Sequence, residues 1–130
     1  MTRSEQRGII RIRRAYEPPA PADGKRVLVD RLWPRGLARK TAALDFWLKD
    51  IAPTPALRKW FGHDPSRFAV FAKRYREELD ANSDAVADLC EIADSGDVTL
   101  LYAAHDKQVN HALVLAEYLE ERGYRFDRAA

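Results

Sequence analysis

Two short apolar runs, each ending abruptly in charge, limit what this chain can fold into more than any other feature. Residues 26–36 read RVLVDRLWPRG, and residues 98–111 read VTLLYAAHDKQVNH. A continuous apolar run of strand length suits a strand covered on both faces, as in a parallel sheet. Ligands of such sheets bind beyond the carboxyl ends of the strands. Asp30 and Arg31 leave the first run, and His105 and Asp106 leave the second. The two exits are expected to meet at one pocket.

The remaining pattern supplies more elements. Gly8–Arg13 alternates isoleucine with arginine, as in a strand with one buried face or at an edge. Residues 17–24, EPPAPADG, predict an irregular surface connection. Residues 41–50 are read as a short helix presenting Leu44, Trp47, Leu48 and Ile51. Thr54-Pro55 and Asp64-Pro65 are cap-plus-proline starts, opening a helix that closes at Gly62 and a longer one carrying Phe68, Phe71, Tyr75 and Leu79 at helical spacing. Asn82-Ser83 opens a further helix with Val86, Leu89, Cys90 and Ala93 inward, stopped by Gly96. The last helix is expected from about Lys107 to Arg122, with a short strand at 124–126. The fold predicted is α/β: a single small layered domain over residues 1–130, with a mostly parallel sheet of three to four strands and about four to five helices. Residues 1–7 and 127–130 are expected to fray.

Composition narrows the partners. The 22 Lys and Arg against 20 Asp and Glu leave a net charge of +2, too small for whole-molecule attraction to nucleic acid, so nucleic acid is not an expected partner. One cysteine, Cys90, allows no internal disulfide and suits the cytoplasm, the expected location. No apolar stretch has the length of a signal peptide core or a membrane span, so no membrane association is expected. The basic run Arg3, Arg7, Arg11, Arg13 and Arg14 reads either as phosphate-backbone contacts or as a solvated, edge-protecting face. Three tryptophans and the amphipathic helices leave a homo-oligomer open.

The site candidates follow from the two exits. A guanidinium after a strand end holds a carboxylate or phosphate through parallel hydrogen bonds, which makes Arg31 and Arg35 candidate substrate-binding residues. Asp30 either orients one of them, serves as a base or fastens the loop. Trp33 offers a ligand wall or simple packing. His105 and His111 are candidate proton-transfer groups, since imidazole titrates near neutrality, and Asn110 either fixes the substrate or caps the last helix. His63, at the corner between two helices, either folds over that corner or reaches the pocket. No cofactor is expected: GxGxxG and P-loop motifs are absent, and the six-residue spacing of His105 and His111 does not favour a metal set with Asp30 and Asp106.

Residues 27–36, residues 60–65 (WFGHDP), and residues 100–104 (LLYAA) with Asn110-His111 together resemble the YeaO-like branch of the domain-of-unknown-function family 488. The resemblance spans nearly the whole chain and implies an α/β fold and a cytoplasmic protein of bacterial type, without an assigned reaction. It also implies that Cys-His-Arg often stands at the start of the last helix, where this chain has Asn110-His111-Ala112. That departure argues against a cysteine nucleophile. The reading is therefore a protein that binds an anionic, phosphate- or carboxylate-bearing small molecule, with hydrolysis or group transfer as its reaction class. The alternative is a non-catalytic module docking a protein or nucleic acid.

Overall fold

The structure is a computed structural model that describes residues 8–128. Strands β1 (Ile9–Arg14), β2 (Lys25–Leu28), β3 (Phe46–Trp47), β4 (Val98–Tyr102) and β5 (Arg125–Phe126) form one sheet in the order β3-β2-β4-β1-β5. Every pairing is parallel. The helices are α1 (Arg39–Ala42), α2 (Pro55–Phe61), α3 (Phe68–Asp80), α4 (Ser83–Ser95) and α5 (His111–Glu121). The α/β class stands, and the sheet has five strands where three to four were expected. The extra strand is β3, in the segment read as a helix over 41–50. Helix α1 stops after one turn at Ala43, which takes a left-handed φ of 48°. Asp45 then clamps Arg26 from both sides: its amide donates to the Arg26 carbonyl at 2.9 Å and its carboxylate accepts the Arg26 amide at 2.8 Å. The open edge of β2 thus captures residues whose spacing alone reads helical.

The two faces of the sheet are closed differently. Ile10, Val27, Val29, Val98, Leu100 and Tyr102 join Phe61, Phe71, Tyr75, Leu89 and Leu115 in the main core. On the other face Leu28 and Leu101 pack with Ala15, Leu37 and Ala42, with Trp33 and Trp47 against them. The Ile/Arg alternation of β1 has a matching cause. Ile10 and Ile12 belong to the main core, while Arg11 and Arg13 reach carboxylates. Arg11 pairs with Asp97 and Asp127, and Arg13 with Glu17 and Asp23. Arg14 donates to the carbonyls of Ala103 and Ala104. These guanidinia are engaged within the fold; Arg3 and Arg7 lie outside the described residues.

Asp23 and Arg26, each 3% exposed, form the buried centre of this polar face. The Asp23 carboxylate accepts Arg26 Nη1 at 2.7 Å, Arg13 Nη1 at 2.9 Å and the Ala20 amide at 2.9 Å. Burial pushes its pKa up, but the Ala20 amide and the two guanidinia outweigh that and hold it below the usual carboxylate range.

Gly24 makes the turn into β2 possible. Its φ is +62°, and a Cβ there would stand 2.1 Å from the carbonyl oxygen of Asp97. That same oxygen accepts the Lys25 amide at 2.9 Å, so it cannot retreat without breaking the start of the strand. Gly24→Ala is expected to lower unfolding free energy by about 3 kcal/mol, from left-handed strain plus overpacking. Chemical denaturation would read this as a lower midpoint at unchanged slope.

Two expectations at the C-terminal end are revised. Helix α5 begins at His111, not near Lys107, because Asn110 caps it by accepting the Leu113 amide at 2.9 Å. Asp127 and Arg128 do not fray: the Asp127 amide donates to the Ile10 carbonyl, and Arg128 pairs with Glu117 and Glu120. The rest of the expected fraying lies outside the described residues. Cys90 is only partly buried and packs against the core from its edge.

Candidate functional site

Strands β2 and β4 are hydrogen-bonded neighbours, so the two charged exits stand side by side. Beyond their carboxyl ends lies a cleft of about 820 Å³. Asp30, Arg31, Trp33, Arg35, His63, His105, Asn110 and His111 all line it. Chain exits separated by more than seventy residues in sequence therefore face one space.

Asp30 is fixed by three contacts. Its main-chain carbonyl accepts the Trp47 indole N–H at 2.8 Å, and its Oδ2 accepts the Ala103 amide at 3.1 Å. Its Oδ1 lies 3.0 Å from His111 Nε2 but is not aligned for a hydrogen bond, and it is a buried acceptor left without one. His111 Nε2 is also 3.0 Å from the Val29 carbonyl. A carbonyl has no proton to give, so Nε2 carries the ring proton. Nδ1 has no hydrogen-bond partner among the described residues and is not a buried atom, which leaves it open to the cleft.

The opposing wall is built from the α3 side. Tyr75 is fully buried and donates its hydroxyl to the Ile51 carbonyl at 2.7 Å. Burial, then Glu78 and Asp30, push its pKa well above the ordinary phenol value, so it remains a donor. Asn82 holds the Asp50 carbonyl in the same turn. The next two carbonyls, of Ala52 and Pro53, accept the Arg31 guanidinium at 3.2 and 3.5 Å. Arg31 is thereby held against this wall, with 28% of its side chain still exposed.

The remaining candidates divide clearly. Arg35 is exposed, and its loop is tied down where the Tyr16 hydroxyl donates to the Arg35 carbonyl at 2.8 Å. Trp33 donates to the Leu37 carbonyl, packs edge-on against Trp47 and lies under the Arg39 guanidinium, 4.6 Å from the ring centre, so only the remaining part of its apolar ring is left to offer. His105 and His63 are exposed at the rim. His63 follows the left-handed Gly62 that ends α2 and itself adopts φ 57°, a conformation that costs a non-glycine residue about 1 kcal/mol. Asn110 is 1% exposed, and both ends of its amide are used, on the Leu113 amide and the Asp106 carbonyl. The capping alternative describes its side chain. Asp106 closes a tight turn by accepting the Gln108 and Val109 amides.

Two cations in the cleft were not foreseen. Arg58 and Lys59, exposed on α2, line it with Arg31 and Arg35. Their signal was the helix between the Thr54 cap and the Gly62-His63 corner: once His63 is suspected of reaching the pocket, the helix leading to it becomes a candidate wall. Among the described residues, no group of three or more His, Cys, Asp or Glu side chains is arranged to hold a metal ion.

A family model described as the inactive DUF488-N3 subclade matches residues 9–130. The chain belongs to the DUF488 family. It is 44% identical to the uncharacterised protein YeaO of Escherichia coli over 110 residues, which covers 85% of this chain and 96% of that protein. It is 43% identical to the uncharacterised protein Rv3073c of Mycobacterium tuberculosis over 113 residues, covering 87% and 95%. No solved structure matches the chain significantly. The DUF488 fold seen here puts Asn110 where the resemblance implies a thiol, and the residue at that place is locked as a helix cap. Among the described residues, no helix is long and apolar enough to cross a membrane.

Proposed function

We propose that this protein binds a small anionic molecule, phosphate- or carboxylate-bearing, in the cleft beyond β2 and β4, and that it does so without turning it over. The observation that carries this reading is the charge of the cleft: Arg35, Arg58 and Lys59 line it with no ion-pair partner among the described residues, beside Arg31, which lies 4.0 Å from Asp50, and the lining carboxylates are Asp30 and Asp106. Neither carboxylate forms an ion pair with Arg58 or Lys59: Asp106 accepts backbone amides, and Asp30 accepts the Ala103 amide beside His111. A cleft that gathers unspent guanidinium and ammonium groups favours an anion. In this reading Arg35, Arg58 and Lys59 supply the charge, and Arg31 is a pre-positioned donor. His111 Nδ1 contacts the head group as a donor when the ring also carries a proton there.

The absence of turnover draws on the family description as inactive and on the capped Asn110. The second reading, hydrolysis or group transfer, draws on the Asp30–His111 contact. A carboxylate beside Nε2 with Nδ1 open resembles the geometry of an oriented general base. In it Asp30 and His111, with His105 at the rim, are the catalytic residues. A docking module using the β1 arginines has less support, because Arg11, Arg13 and Arg14 are spent within the fold.

Calorimetric titration with inorganic phosphate and acetate separates these readings. Binding by the parent, weakened about tenfold by Arg35→Ala and by His111→Ala, is the expected result. Equal binding by the parent and both variants would overturn the assignment. Release of product from phosphate or carboxylate esters, lost in His111→Ala, would favour the catalytic reading.

A further inference from the structure

Among the large apolar side chains that stand out into solvent, Leu32 is the most exposed, at 63%, and it is the one that lines the cleft. A lone exposed leucine is ordinary on a protein surface. This one shares a concavity with the half-buried Trp33 and the exposed Pro55, while Pro34 and Pro53, which also line it, are themselves buried. The Trp33 indole N–H is spent on Leu37, so its ring adds apolar surface and no further donor. The space, about 820 Å³, falls in the range that accommodates a drug-sized organic molecule and far exceeds what an inorganic ion fills. A bare phosphate would leave this wall in contact with water, and a polar sugar body would cover it without the gain that follows apolar burial.

Resting on the anion-binding reading above, we infer that the ligand is an amphiphilic organic anion. Its charged head is held by the cleft cations, and its ring-sized apolar body packs on Leu32, Trp33 and Pro55. Leu32 is then a specificity-determining residue: it selects the body and leaves the head group to the cations.

Three ligands with a common type of head test this by calorimetry, at a pH where each is a dianion: methylphosphonate, glycerol phosphate and phenylphosphonate. The carbon–phosphorus bond of the two phosphonates resists hydrolysis, so turnover does not confuse their comparison. Phenylphosphonate is expected to bind about tenfold more tightly than the other two, the size of effect that burying part of a phenyl ring provides. Leu32→Ser, at an exposed position, should erase most of that advantage and leave methylphosphonate affinity unchanged, and Leu32→Met should retain it. Equal affinities for the three, or tightest binding of glycerol phosphate, overturn the inference and leave anion binding standing. A Leu32→Ser variant that weakens methylphosphonate as much as phenylphosphonate overturns the specificity role. Failure of all three to bind overturns the inference, and failure of inorganic phosphate and acetate along with them overturns the anion-binding reading as well.

Discussion

Asp23→Ala is expected to be the most destabilising single change in the protein, lowering unfolding free energy by about 3–5 kcal/mol, because it leaves the Arg26 guanidinium buried without its carboxylate. Arg26 is 3% exposed and keeps only carbonyl partners, those of Ala42 and Glu17. Such a loss is a large share of the roughly 5–15 kcal/mol that holds a domain of this size folded. In thermal unfolding it corresponds to a fall in Tm on the order of 10–20 °C. The double variant Asp23→Ala with Arg26→Met should recover much of the loss, since removing both charges spares the desolvation penalty. A double variant no better than the single one would show that packing, not charge, is what Asp23 supplies.

The same carboxylate gives the fold an acid limit of known sign. The folded pKa of Asp23 is depressed, and so is that of Asp97, held low first by the Ile9 amide and then by Arg11. A depressed carboxylate stabilises the fold fully above its unfolded value of about 3.9, and the contribution disappears as pH falls through the lower folded value. Stability should therefore decline below about pH 4, and the decline should be shallower in Asp23→Ala. A variant whose acid unfolding curve keeps the parent's slope would contradict this.

Reversing the charge of α2, by Arg58→Glu with Lys59→Glu, is expected to weaken phenylphosphonate binding on the order of 100-fold, because two attractions become two repulsions in a confined cleft. Both side chains are exposed and the core residues of the helix, Leu57 and Phe61, are untouched. Stability should stay within about 0.5 kcal/mol of the parent, as for other surface substitutions. Rising salt should weaken the parent and leave the variant's residual binding nearly level. Unchanged affinity in a folded variant would remove α2 from the site and, with it, most of the positive charge attributed to the cleft.

The two exits were legible because continuous apolar runs have few homes other than a covered sheet, and their adjacency follows from parallel strands sharing one carboxyl edge. Asp30, Arg31 and His111 could be named on that basis. Strand β3 could not. Phe46 and Trp47 become a strand only because β2 offers unpaired backbone groups and Asp45 clamps Arg26, which is a tertiary event. The start of α5 departs from the expected one for a local reason: Asp106 and Asn110 each bond backbone amides, and those bonds compete with helix over 107–110. Arg58 and Lys59 carry no signal of their own in the sequence, because charge on the outside of a short helix is ordinary and only the packing of α2 beside the β2 and β4 exits gives it meaning.

An anion seated at the shared carboxyl edge of β2 and β4 should perturb the amides around it, and amide chemical-shift mapping during titration with phenylphosphonate reads this. The expected result is saturable shifts concentrated at Asp30–Arg35, Arg58–His63 and Ala103–His111, with the β5 edge and α4 unmoved. Shifts clustered on α4 or along β1, or none at concentrations that saturate calorimetric binding, would contradict it.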